Sequence, residues 1–191
     1  VIPKAQKNPI FETQIKISGY EHYINFKLTD SDLGASGKRG VIIYVKSDMK
    51  CEEVKLKNAY NDHVWVELKM KSKETLLCVC IYRSPNKDRT NTIDTTIAVC
   101  NIIEEAAERK DTYLLICGDF NYPDIDWENE HIEETTPVIR PFIETFQNCY
   151  LHQHISQSTR YRSDQEPSLL DLIFTNEEGM LNELVHNPGI G

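Results

Sequence analysis

A chain of 191 residues is long enough for one domain with a substantial core, and a second independent domain within it would have to be unusually small. Its 40% hydrophobic content fits a globular protein, and its longest apolar runs, residues 76–82 and 113–117, fall well short of the roughly 20 residues that cross a bilayer. A formal charge of −9 argues against a nucleic-acid binder that works by bulk attraction, because neutralising phosphates needs clustered Lys and Arg.

The charge is unevenly spread. Residues 1–60 carry 10 basic and 7 acidic side chains, residues 61–110 carry 8 and 8, and residues 111–191 carry 3 and 15. An acidic C-terminal part beside a more basic surface is compatible with a cation-binding catalytic face, and equally with a solvated acidic face. The chain begins at Val1 and shows no basic stretch followed by an apolar one, so neither a natural start nor a secretory signal is visible, and it reads as cut from something longer. Its six cysteines sit mostly inside apolar runs, where free buried thiols are the commoner state, so a reducing, intracellular compartment is expected. Cys78 and Cys80 lack the partners of a structural zinc site.

In chain order, residues 40–46 (GVIIYVK) form a β-branched run entered through Gly37 and Gly40, which predicts a strand after a loop. Residues 63–69 (HVWVELK) set Val64, Val66 and Leu68 against Trp65, Glu67 and Lys69, the alternation of a half-buried strand. Residues 76–82 (LLCVCIY) are apolar on both faces and end at the breaker Arg83-Ser84-Pro85-Asn86, as in a central strand covered on both sides. From Thr92 to Lys110 the positions Ile93, Ile97, Cys100 and Ile103 recur at helical spacing, with Asp94 early and Arg109-Lys110 late, matching the helix dipole. Residues 113–117 form another buried strand, and residues 137–150 a second helix with Thr136 as cap and Pro137 at its first position, where Pro141 disturbs the start. Residues 169–175 (LLDLIFT) close the series as a strand with Asp171 inside an apolar run. Strands with only two long helices among them point to packed sheets with helices outside, rather than a regular βαβ array.

Gly118-Asp119-Phe120-Asn121 follows an apolar strand directly, placing an acid and an amide at a strand end, on one face if the chain stays extended. Such a pair could hold a water or a phosphate oxygen, and a purely structural turn would use the same four residues. Tyr82 at its strand end is either a functional phenol or a rim aromatic. Asp171 needs a partner, because an unpaired buried carboxylate is costly. His63, His152 and His154 show no metal-ligand arrangement, and His152 and His154 read as structural.

The longer string GDFNYPDIDW, residues 118–127, closely resembles the GDFN-x-P-x-I-D-W signature of endonuclease domains of non-LTR (LINE-type) retrotransposons, within the endonuclease/exonuclease/phosphatase superfamily. The same pattern is met by GVIIYVK at 40–46, IYRSPN at 81–86, FIETFQNCYLHQHISQSTR at 142–160 and SLLDLIFTN at 168–176, in the family's order. The resemblance implies an α/β (α+β) four-layer αββα sandwich, two packed β-sheets flanked by helices, and phosphodiester hydrolysis on DNA with Mg²⁺, or Mn²⁺ in its place. It also implies a reverse transcriptase domain in the parent chain and, through the DNA substrate, a nuclear site of action, while the short apolar runs lead to the expectation of no membrane partner.

By the same resemblance Asp119 is the acid that positions or activates the attacking water, and Asn121 its partner at that water and the phosphate. Tyr82 is the phenol near the scissile phosphate, Asp171 the carboxylate that orients a catalytic histidine, and Asn86 a phosphate contact. Relatives also carry an Asn near the domain start and a metal-binding Glu in the next strand; neither is identifiable here, and Glu12 lies too close to Gly19-Tyr20 to be that ligand. They place a Ser-Asp-His element after a Pro-x-Gly stretch, where this chain stops at Pro188-Gly189-Ile190-Gly191. The expectation is therefore one domain over 1–191, truncated at both ends and impaired as a nuclease, with the metal ligands unassigned. Two alternatives stay open: a phosphatase or phospholipase of the same superfamily, and a degenerate copy acting at most as a binding module.

Overall fold

Strands supply most of the regular structure in the computed structural model, which describes residues 16–26, 40–54, 62–85, 89–127, 136–162 and 165–186. In chain order they are β1 (Tyr20–Phe26), β2 (Gly40–Lys46), β3 (Cys51–Glu53), β4 (His63–Lys69), β5 (Thr75–Tyr82), β6 (Thr112–Asp119), β7 (His152–Gln153), β8 (Arg160–Arg162), β9 (Gln165–Ser168) and β10 (Asp171–Thr175). Two helices, α1 (Arg89–Ala107) and α2 (Arg140–Asn148), and a short 3-10 turn, Glu178–Met180, complete the described elements. A six-stranded sheet runs in the order β3-β4-β5-β6-β10-β7, β1 pairs with β2, and β8 with β9. Only β5 and β6 are parallel within the large sheet, and α1 is the crossover between them.

Side-chain alternation gives this sheet two different covers. Trp65, Leu77, Val79, Ile81, Leu114, Ile116, Leu172 and Phe174 join one core with α1 and α2. Val64, Val66 and Leu68, on the other face of β4, pack against Val41 and Val45 of β2. Helices thus cover one face and a second sheet the other, a mixed α/β fold with packed sheets as the family resemblance implies.

Several local expectations change. β4 is covered on both faces: Trp65 is only 1% exposed, because α1 and its neighbours close over the side expected to meet solvent. The buried stripe of α1 runs through Thr96, Val99, Cys100, Ile103 and Ala106, whereas Ile93 and Ile97 are 37% and 46% exposed. The helix starts at Arg89 and ends at Ala107, so Asp94 lies past its first turn and Arg109 beyond its last, where it bonds Glu67 at 3.4 Å. The second helix begins at Arg140 rather than Pro137. The Thr136 carbonyl accepts the amides of Ile139 and Arg140 in a preceding turn, and Pro141 occupies the first helical turn, where a missing N–H costs nothing.

Candidate active site

Three of the residues singled out in the sequence meet on one rung of the large sheet. The parallel register sets Tyr82 beside Asp119, and the antiparallel register of β10 sets Asp171 opposite Asp119 from the other side. Residues in register share a face, so the phenol and both carboxylates project together from the C-terminal ends of β5 and β6. The Phe120 amide donates to the Leu170 carbonyl at 2.8 Å, which makes Asp119 and Asp171 a non-hydrogen-bonded pair, the kind whose side chains lie closer. Asp171 is nevertheless exposed, contrary to the expectation of burial. It is the first residue of β10, and the apolar neighbours that suggested burial, Leu170 and Leu172, point the other way.

The strands can close this tightly because residue 118 is glycine: a Cβ there would lie 1.8 Å from the Ile81 carbonyl oxygen. Asp119 pays for the position electrostatically. Burial, and then the nearby Asp171 carboxylate, raise its proton affinity above the ordinary carboxylate range; hydrogen bonds from the Asn121 side chain and backbone and the charge of Arg160 oppose this. Its Oδ1 is buried without a hydrogen-bond partner.

Asn121 reaches Asp119 through a turn rather than along an extended chain, its φ being +51°. Its Nδ2 donates to the Arg83 carbonyl at 2.8 Å, while Arg83 Nη1 donates to the Asn121 carbonyl at 3.0 Å and that of Phe120 at 3.4 Å. The Arg83 guanidinium also lies 4.0 Å over the Tyr122 ring. The two turns that carry Tyr82 and Asp119 are therefore clasped by one buried arginine, which the sequence reading passed over as part of a breaker. Its signal was present: an arginine directly after a fully apolar strand has to be paired wherever the fold buries it. Phe120 anchors the turn from below, 5.4 Å from Phe142 and 5.6 Å from Phe174, and the Tyr122 hydroxyl donates to Thr96 Oγ1 at 2.8 Å. Trp127 packs on Phe146 at 5.5 Å, so the rest of the motif shapes the core beneath the site.

A second element missed in the sequence borders the rung. Thr159 Oγ1 accepts the amides of Leu170 and Asp171 at 3.1 and 3.0 Å, tying the β8–β9 hairpin to the start of β10. Behind Thr159 come Arg160, close enough to act on Asp119, and Tyr161, 69% exposed. His152 and His154 belong to the opposite end of β10: His152 pairs with Thr175, and the His154 ring bonds Thr175 Oγ1 at 2.6 Å. Asn86, Glu12 and the C-terminal 188–191 lie outside the described residues.

The rung fits a hard divalent cation. Such an ion takes oxygen ligands, needs only one or two carboxylates and keeps several waters, and here an unpartnered buried carboxylate oxygen stands beside a second, exposed carboxylate. Among the described residues no group of three His, Cys, Asp or Glu converges on one point.

A family model described as endonuclease-reverse transcriptase matches residues 76–189, more than half of the chain. Among solved structures, the endonuclease domain of TRAS1, a telomere-specific non-LTR retrotransposon, is similar at TM-score 0.52 and 16% identity, over 83% of this chain and 65% of that one. The human Nocturnin catalytic domain with bound sulfate anion gives 0.50 and 14%, over 88% and 63%. A mannosyl-6-phosphatase of Bacteroides thetaiotaomicron VPI-5482 gives 0.50 and 14%, over 83% and 63%. The chain thus spans less than two thirds of the length of each of these structures, and at such identities the likeness is one of fold. Curated proteins give no match. With the family match running through β5, β6 and β10 and the fold shared with these structures, the chain belongs to the endonuclease/exonuclease/phosphatase superfamily and, within it, to the endonuclease-reverse transcriptase family.

Proposed function

We propose that this chain is built for metal-dependent hydrolysis of phosphodiester bonds in DNA, the nicking step of a non-LTR retrotransposon-type endonuclease, with Mg²⁺ as cofactor and Mn²⁺ as its substitute. The observation that carries the reading is the Tyr82, Asp119 and Asp171 rung with its unpartnered Asp119 oxygen. Displacement at phosphorus needs a positioned water, neutralised phosphoryl oxygens and relief of charge on the leaving oxygen. Asp119 and Asp171 would hold the cation, which supplies the charge neutralisation when bound. Asp119, at the end of β6 beside Tyr82, also positions the attacking water. Asn121 holds that carboxylate in orientation, itself fixed by Arg83, and the Tyr82 phenol donates to a phosphate oxygen. His152 and His154 stand at the far end of β10, away from Asp171, and take no part in this arrangement.

DNA, rather than a phosphomonoester or phospholipid, is favoured by the family match and by the motif residues Pro123, Ile125, Asp126 and Trp127 after the GDFN turn. The same reading puts a reverse transcriptase domain in the natural polypeptide and the work in the nucleus. No described helix is long and apolar enough to cross a membrane.

Supercoiled plasmid incubated with the chain and Mg²⁺ should yield nicked circles, suppressed by EDTA and roughly 100-fold slower with Asp119→Ala. Nicking that survives Asp119→Ala would remove the site from this rung. Turnover of a phosphomonoester or phospholipid without nicking would move the chain to the phosphatase or phospholipase reading, and silence towards all of them would mark a non-catalytic copy.

A further inference from the structure

One rung inward from Tyr82 and Asp119, on the same face of the same two strands, the register sets Cys80 opposite Cys117. Val64 of β4 and Ile173 of β10 are their outer neighbours. The two thiols are close enough to bear on one another's protonation, Cys80 raised and Cys117 lowered, and all six cysteines are free. Neighbouring strands lie about 4.8 Å apart, inside the roughly 4.4–6.8 Å range of Cα separations that a disulfide bridges. Both cysteines are partly exposed, although Cys80 packs against the Val41 and Val45 cluster of the second sheet, whereas Leu114 and Ile116 on the opposite face of β6 are sealed; a small oxidant therefore has only the second-sheet side from which to reach the pair.

We infer that Cys80 and Cys117 form a dithiol site that a hydroperoxide closes to a reversible cross-strand disulfide. One sulfur attacks the peroxide O–O bond, becoming a sulfenic acid and releasing water, or an alcohol from an alkyl hydroperoxide. The second thiol then attacks that sulfur, the S–O bond breaks, and a second oxygen leaves as water. The peroxide gains the two electrons that the thiols lose, and the two thiol hydrogens end in the products. Register selects the pair. Cys78 stands opposite Leu115 and meets Cys117 only on the diagonal, and Cys100 packs in the core on the helix side of the sheet. The inference does not depend on the hydrolytic reaction proposed above.

The full chain, treated with hydrogen peroxide, blocked with N-ethylmaleimide and digested without reduction, tests it by mass spectrometry. Labelled thiols should fall from six to four, the mass should drop by two hydrogens, and one peptide pair should link Cys80 to Cys117, all reversed by dithiothreitol. In Cys80→Ser, Cys117 should stop at a sulfenic acid that dimedone captures. An unchanged thiol count, a link through Cys78, or sulfinic acid without a cross-link would overturn the inference. The peptide map of the native chain decides the matter if the variant does not fold.

Discussion

Asp119 is held in a position that its own charge resists. Burial and the Asp171 carboxylate both favour its protonated form, and Gly118 lets β5 and β6 come close enough to keep it there. The native state therefore binds this proton more tightly than the unfolded chain does. That contribution is fully present below the unfolded carboxylate value of about 4, and is lost as pH rises through the higher folded value. At neutral pH the ionised carboxylate is a stability cost. Asp119→Asn should then melt at a higher temperature than the parent near pH 7, with the gap closing as pH falls towards the ordinary carboxylate range. Millimolar Mg²⁺ should raise the melting temperature of the parent and leave the variant unmoved, since a cation bound to the native state stabilises it by mass action. Equal melting temperatures across the pH range would mean that the carboxylate is better solvated than its buried oxygen implies.

Two strand ends become one site because of the clasp between their turns. Arg83→Lys keeps the charge but loses the planar fork that reaches the Phe120 and Asn121 carbonyls and lies over Tyr122. With an ammonium buried in poorer geometry, the variant should lose about 2–4 kcal/mol, read as a lower urea midpoint, and its nicking should fall further than its folded fraction. An unchanged midpoint would show that the two turns hold their geometry without the arginine. How much of this was legible follows from the range of the forces involved. The runs at 40–46 and 63–69 became β2 and β4 with the boundaries read from the sequence, because β-branched alternation acts locally. The ends of α1 and α2 shifted by two or three residues, since packing on the sheet, not dipole or cap preference, sets them. Tyr82, Asp119 and Asp171 were identifiable by type, but their shared rung is a matter of long-range register that no local pattern contains. Arg83 was overlooked because its partners lie 37 and 38 residues away.

At the scale of the whole molecule, the difficulty is how a chain of net charge −9 would approach DNA. Only Arg140, Arg160 and Arg162 are basic among residues 111–191, and two of the three flank Tyr161 on the hairpin whose stem is bonded to Asp171. Arg160, whose charge acts on Asp119, and the exposed ring of Tyr161 thus stand side by side on the element bonded to Asp171. Binding by so small a basic element depends weakly on salt: about two phosphates neutralised give a slope of log K against log salt near −2. Arg160→Ala should reduce that slope by about one, and should also raise the proton affinity of Asp119, from which it removes a helpful positive charge. Tyr161→Ala should weaken binding roughly 5- to 100-fold, most clearly on DNA with unpaired bases, and leave the slope alone, because stacking on a ring releases no counterions. A slope near −6 that neither substitution changes would place the contact elsewhere, and the hairpin would then serve only to hold Asp171 in place.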